Sequence, residues 1–99
     1  MKKTLMFLLG VMASVAIFAQ SVAVSGTVID AESKEPLIGV SILEAGTTNG
    51  MITDLDGFFQ ITLSEGATLQ FSYVGYVAQE INVGKKTNLG VIELMPEAV

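Results

Sequence analysis

The sequence contains no cysteine and no histidine among its 99 residues. These absences exclude a thiol nucleophile, a disulfide staple, an imidazole general base and the preferred zinc ligands. They also remove the residue that lipoprotein acylation requires. Arginine is absent too, and five lysines face ten acidic residues, for a net charge of -5. Phosphate binding needs a basic face, so no nucleic acid is expected as a partner. No catalytic residue, cofactor site or metal site is expected from this residue set, and the chain is read as a non-enzyme. It also lacks internal repeats, low-complexity tracts, an internal linker and any competing helical stretch.

What is present begins with an export signal. Met1-Lys2-Lys3 is a short positive segment, Leu5 to Phe18 is apolar apart from Gly10 and Ser14, and small residues follow at Ala19, Ser21 and Ala23. Residues 1-19 are read as a signal peptide cleaved after Ala19, with Ser21 or Ala23 as alternatives that better satisfy the small-x-small pattern. An uncleaved anchor would need about 20 apolar residues, more than this run offers. Residues 20-99 then form one exported domain in which Lys34, Lys85 and Lys86 face all ten acids, leaving -7. Such a charge suits an acidic, soluble module.

The organising stretch of that domain is Thr53-Asp54-Leu55-Asp56-Gly57-Phe58-Phe59. Asp56-Gly57 predicts a two-residue type I′ hairpin turn, because both residues tolerate positive φ, and Asp54 can accept backbone N–H bonds upstream. Counting from this turn puts Phe59, Ile61 and Leu63 on the core face of the outgoing strand and Phe58, Gln60 and Thr62 outside. Further short alternating runs are predicted at 22–30, 39–44, 51–55, 68–73, 77–83 and 89–94, separated by turn-forming residues. The pattern is that of an all-β sandwich. Seven short strands in roughly 80 residues approach the lower limit for a self-sufficient core without disulfides. The tail Met95-Pro96-Glu97-Ala98-Val99 shows no capping turn or closing strand, which suggests a chain that once continued.

Candidate sites have competing readings. Asp54-x-Asp56-Gly57 with Glu65 at the twelfth position matches part of a calcium loop, but the intervening run is a strand that cannot wrap an ion, so the structural-turn reading of Asp54, Asp56 and Gly57 is preferred. Asp30, Glu32 and Glu35 are similarly read as a solvated turn. All acids are expected at turns or on outward strand positions, so no carboxylate pair at a glycosidase spacing can be argued from the sequence. Gly46-Thr47-Thr48-Asn49-Gly50 lacks the lysine and following helix of a phosphate loop. Tyr73-Val74-Gly75-Tyr76 carries two aromatics around a glycine, and alternation allows only one to point inward. Tyr73 is assigned to the core. Val74, Tyr76 and Val77 become a candidate partner contact, with simple packing of Tyr76 as the competing reading.

Five spaced motifs together carry a resemblance: Val24-Ser25-Gly26-Thr27-Val28-Ile29-Asp30, Glu35-Pro36-Leu37-Ile38-Gly39-Val40, Gly46-Thr47-Thr48-Asn49-Gly50, the central stretch from Thr53 to Phe59, and Leu69-Gln70-Phe71-Ser72-Tyr73-Val74-Gly75-Tyr76. In this order they resemble the carboxypeptidase-regulatory-like (transthyretin-like) N-terminal domain of SusC/RagA-type TonB-dependent outer-membrane receptors of Gram-negative bacteria. The resemblance implies a seven-stranded prealbumin-like β-sandwich preceding a plug and a membrane-spanning barrel that transports nutrients. It implies a location in the periplasm at the outer membrane, a protein partner in the outer-membrane uptake machinery, and membrane association only through a barrel missing from these 99 residues. The isolated domain is expected to be monomeric. Its function is read as a non-catalytic periplasmic interaction module. The alternative is a secreted or surface-displayed β-sandwich binding module for glycan or matrix.

Overall fold

The computed structural model describes residues 21–98, so the signal-peptide reading lies outside the described residues. The described chain is built from seven strands: β1 (Ser21–Asp30), β2 (Ser41–Glu44), β3 (Gly50–Ile52), β4 (Phe58–Ser64), β5 (Thr68–Ser72), β6 (Gln79–Asn82) and β7 (Asn88–Leu94). They form a three-stranded sheet in the order β4-β1-β7 and a four-stranded sheet in the order β3-β2-β5-β6. The architecture is the expected all-β, prealbumin-like sandwich. All pairings are antiparallel except β1 with β7, which run parallel with a register shift between Ser25 and Thr27.

Alternation explains the core. Phe59, Ile61 and Leu63 of β4 are buried while Phe58, Gln60 and Thr62 are exposed. Val24 and Val28 of β1, Ile42 of β2, Leu69 and Phe71 of β5, and Ile92 and Leu94 of β7 complete the inner faces, with Val40 and Val83 from the flanking turns. Phe59 and Phe71 meet edge-to-face across the sheets at a centroid distance of 5.6 Å and an interplanar angle of 71°. Gly26 lies directly opposite Phe59 in the β1–β4 register. A Cβ there would sit 2.9 Å from the Phe59 ring, so the glycine makes the space that the ring fills.

The central turn departs from the expectation. Its two flanking strands do not pair, because β3 belongs to the four-stranded sheet and β4 to the three-stranded one. Gly57 has φ 74°, but Asp56 is not at positive φ, so the turn is not type I′. Instead Gly57 N–H donates to the Asp54 carbonyl at 2.9 Å, and the Asp54 carboxylate accepts from Asp56 N–H and Phe58 N–H, both at 2.9 Å. This is a type I turn centred on Leu55-Asp56 with glycine after it. It carries the chain from one sheet to the other. Gly57 then lies against β1, where its carbonyl accepts from Val28 N–H at 2.8 Å and an added Cβ would fall 2.5 Å from the Val28 carbonyl oxygen.

Thr53, counted in sequence as an ordinary strand residue, fixes the start of that crossing. It is 2% exposed. Its hydroxyl donates to the Leu37 carbonyl at 2.6 Å and accepts from Val40 N–H at 2.9 Å. One side chain thereby satisfies two backbone groups of the Leu37–Val40 turn.

Two further expectations are corrected. Glu44 follows Val40 and Ile42 on the inward parity of β2 and is buried at the sandwich rim, where it accepts from Asn49 Nδ2 at 3.0 Å. It is neither at a turn nor on an outward position. The C-terminal tail, read as having no closing strand, closes on the segment before β6, because Pro96 bridges Tyr76. Val77 N–H donates to the Met95 carbonyl and Glu97 N–H to the Gly75 carbonyl, both at 2.9 Å. The missing proline N–H lies between these two bonds and is not required by either.

Two substitutions test the crossing. Thr53→Val leaves the buried Val40 N–H without its partner and is expected to cost about 1–3 kcal/mol in urea unfolding, whereas Thr53→Ser keeps the hydroxyl and should fall much closer to the parent. Gly57→Val combines strain at positive φ with a backbone clash, each contributing about 1–3 kcal/mol, so an unchanged urea midpoint would disprove the turn geometry.

Candidate interaction surface

The segment linking β5 to β6 is shaped by a turn and not by a continuing strand. Tyr76 N–H donates to the Tyr73 carbonyl at 3.1 Å, and Gly75 sits at φ 89°. Positive φ confined to the third residue marks a type II turn, which needs glycine there. The reversal breaks the alternation counted through Gly75. Tyr73 and Tyr76 therefore lie on the same side, both partly buried against the core, with ring centroids 5.6 Å apart. The assignment of one ring inside and one outside is corrected accordingly.

Tyr76 is a structural tie between the sheets. Its hydroxyl donates to Asp30 Oδ2 at 2.5 Å, at the end of β1. Asp30 Oδ1 accepts from Glu32 N–H at 2.7 Å and Ser33 N–H at 2.9 Å. The same loop carries Lys34 at φ 65° and its exposed ion pair with Glu93 of β7. The hydrogen bond from Tyr76, with those from the Ser33 and Glu32 amides, lowers the Asp30 pKa from its ordinary 3.8. The same bond, with partial burial and the carboxylate charge, pushes the Tyr76 hydroxyl up to about 12.

Exposed apolar side chains lie on one side of this tie. Val74, at the apex of the turn, is 95% exposed, and Val77 is 53% exposed beside Met95 at 54%. Of the three contact candidates, Val74 and Val77 thus face solvent, and Tyr76 forms the base beneath them. Sequence reasoning missed Met95, because only the pairing of Val77 with Met95 brings the tail to this place.

The acidic candidates are otherwise engaged. Both oxygens of Asp30 have protein donors, and Asp54 Oδ1 caps its own turn. The seven residues of β4 separate that turn from Glu65, a span of about 23 Å at the rise of an extended strand. Among the described residues no group of three Asp or Glu side chains is placed to hold a metal ion.

Known proteins resemble this chain in sequence and in fold. A family model described as a CarboxypepD_reg-like domain matches residues 24–99. The chain is 40% identical over 88 residues to the TonB-dependent receptor SusC of Bacteroides thetaiotaomicron, covering 89% of this chain and 9% of the receptor. It is 40% identical over 91 residues to the TonB-dependent receptor P3 of Formosa agariphila, covering 91% of this chain and 9% of the receptor. The chain thus spans about a tenth of these relatives. Among solved structures, a cohesin–X-dockerin complex from Acetivibrio cellulolyticus superposes with a TM-score of 0.58 at 25% identity, over 71% of this chain and 52% of that one. The group B streptococcus pilus 2b backbone protein gives 0.52 at 16% identity, over 83% and 43%, a likeness of fold alone.

The tie makes stability depend on pH in a defined way. Asp30 has a lowered pKa, so its contribution is present above pH 3.8 and is lost as pH falls through the lowered value. Tyr76 has a raised one, so its contribution is complete below pH 10.0 and is lost as pH rises through about 12. Tyr76→Phe is therefore expected to lower the Tm between those limits and to converge with the parent beyond them. A constant Tm difference at every pH would remove the bond as the cause. Val74→Ser, at an exposed turn apex, should leave the Tm unchanged while Tyr76→Ala lowers it. Equal Tm values for Tyr76→Ala and the parent would contradict the structural role.

Proposed function

The chain belongs to the CarboxypepD_reg-like domain family, and from that membership we propose that it serves as a non-catalytic periplasmic interaction module of a TonB-dependent outer-membrane receptor. The carrying observation is 40% identity to TonB-dependent receptors across nine-tenths of this chain but under a tenth of theirs. In this reading the sandwich precedes the transporting part of the receptor and contacts a protein of the uptake machinery. Its residues suit that role. Without cysteine or histidine it has no zinc site of the kind used by carboxypeptidase catalytic units, so the family description implies no peptidase activity here. The exposed Val74 and Val77, set on Tyr76, form one proposed contact, since a few apolar anchors commonly dominate an interface.

A second reading places the domain on the cell surface as a module for glycan or matrix. The likeness to a cohesin–X-dockerin complex is one of sandwich fold and does not favour this reading over the first. The coding sequence immediately after codon 99 separates the two. An in-frame plug and barrel supports the receptor reading, and an in-frame secretion-sorting sequence ending in a stop codon supports the other. In such a receptor, deleting residues 24–99 is expected to reduce nutrient uptake without abolishing barrel insertion. Uptake at the parental rate would overturn the interaction-module role.

A further inference from the structure

A sandwich with two open sheets has four edges, and unpaired edges invite a further strand unless they are blocked. Hydrogen bonds alternate along an antiparallel strand, so the groups turned away from the sheet can be identified from the ladder. In β4, Gly57 bonds Val28, which turns Phe58, Gln60 and Thr62 outward. Two of these three are occupied: Phe58 exchanges bonds with Asp54, and the Thr62 carbonyl accepts from Asn49 Nδ2 at 2.7 Å. In β7 the edge is broken by Gly90 at φ 71°, whose N–H donates to Asn88 Oδ1, while the Glu93 carbonyl accepts from Gln79 Nε2. In β6, Val83 bonds Ala67, leaving Glu80 and Asn82 outward, and Glu80 places a charge on that edge.

The edge of β3 differs in being both unoccupied and apolar, where the exposed side chains of β6, Gln79, Glu80 and Asn82, are all polar. Thr53 bonds Val40 and Glu44 bonds Asn49, so Gly50 and Ile52, opposite Leu43 and Ser41, turn their N–H and C=O groups away from β2. Among the described residues these four groups have no partner. All three residues of β3 are exposed, with Met51 at 49% and Ile52 at 67%, and none is charged or proline. Just beyond the strand stand Asp54 and Asp56, and residues 20–99 carry three lysines against ten acids, a net -7.

We propose that the open edge of β3 accepts an added strand from a positively charged, extended protein segment, hydrogen-bonded through Gly50 and Ile52. The inference rests on the interaction-module reading and specifies where the partner binds. Backbone bonds supply the affinity, and Ile52 outside with Met51 at the inner rim supplies apolar contact. The charge selects the partner. A second copy of the chain would bring another acidic domain to the same edge, whereas a lysine-rich segment is attracted to it.

The test uses two synthetic peptides that alternate valine and threonine, one flanked by lysines and the other by glutamates. Each is added to the purified chain while amide exchange is followed by NMR. The lysine-flanked peptide is expected to slow exchange at Gly50 and Ile52 by about tenfold or more. Ile52→Pro should abolish this at unchanged Tm, because the Ile52 N–H takes no part in pairing with β2. Ile52→Lys keeps that N–H and should weaken the same peptide through repulsion. Protection centred on β6 or Val74, equal effects of both peptides, or dimerisation through β3 without peptide would each overturn the proposal. In the full-length receptor, parental uptake by Ile52→Pro while deletion of residues 24–99 impairs it would overturn the β3 edge alone. Parental uptake by both would remove the interaction-module reading itself.

Discussion

The structure depends on the edge-to-face contact of Phe59 with Phe71 over the space left by Gly26. These residues come from β4 and β5 in different sheets, with β1 supplying the floor. The contact sets the separation at which the smaller aliphatic side chains of both inner faces can meet. A domain this small buries few large side chains, and the two phenylalanines are the largest of those fully enclosed. Any side chain at Gly26 would displace one ring and open a gap behind it, so the glycine belongs to the packing as much as the aromatics do.

With so little apolar core, polar side chains at the rims hold the sheets in register. Thr53 closes the turn that precedes β2 and starts the crossing to β4. Asn49 donates both to Glu44 on one sheet and to the Thr62 carbonyl on the other. Tyr76 does the same at another corner through Asp30. Each connects elements distant in sequence. The exposed Lys34–Glu93 pair adds little by comparison, because solvent screens both charges.

These ties also explain where the surface is available for partners. Two sheet edges are interrupted by side-chain bonds or a glycine irregularity, β6 is lined by polar side chains, and β3 is left open and apolar. At the Val74 turn, the tail from Met95 to Glu97 is fastened to the segment between β5 and β6. The exposed valines therefore stand on a rigid base and not on a loose loop. A module that offers preformed backbone groups loses less freedom on binding than one that must order itself first.

The sequence by itself determined the strand content, the inward register of β4 and the absence of a cysteine- or histidine-based site. Those properties depend on residue identity and on the two-residue period of a strand, both of which are local. It could not determine which sheet receives each strand. The Asp54–Gly57 turn is equally compatible with a hairpin and with a crossing, and only the burial of Thr53 and the bond from Val28 to Gly57 decide for the crossing. The same limit hid the role of Tyr76. Alternation counting assumes a straight strand, and the type II turn at Gly75 reverses the chain, so both tyrosines reach one side. Asp30 lies 46 residues from Tyr76, and no periodicity relates them. Tertiary structure alone joins them, because the hydroxyl and carboxylate meet only after the two sheets have packed over Phe59 and Phe71.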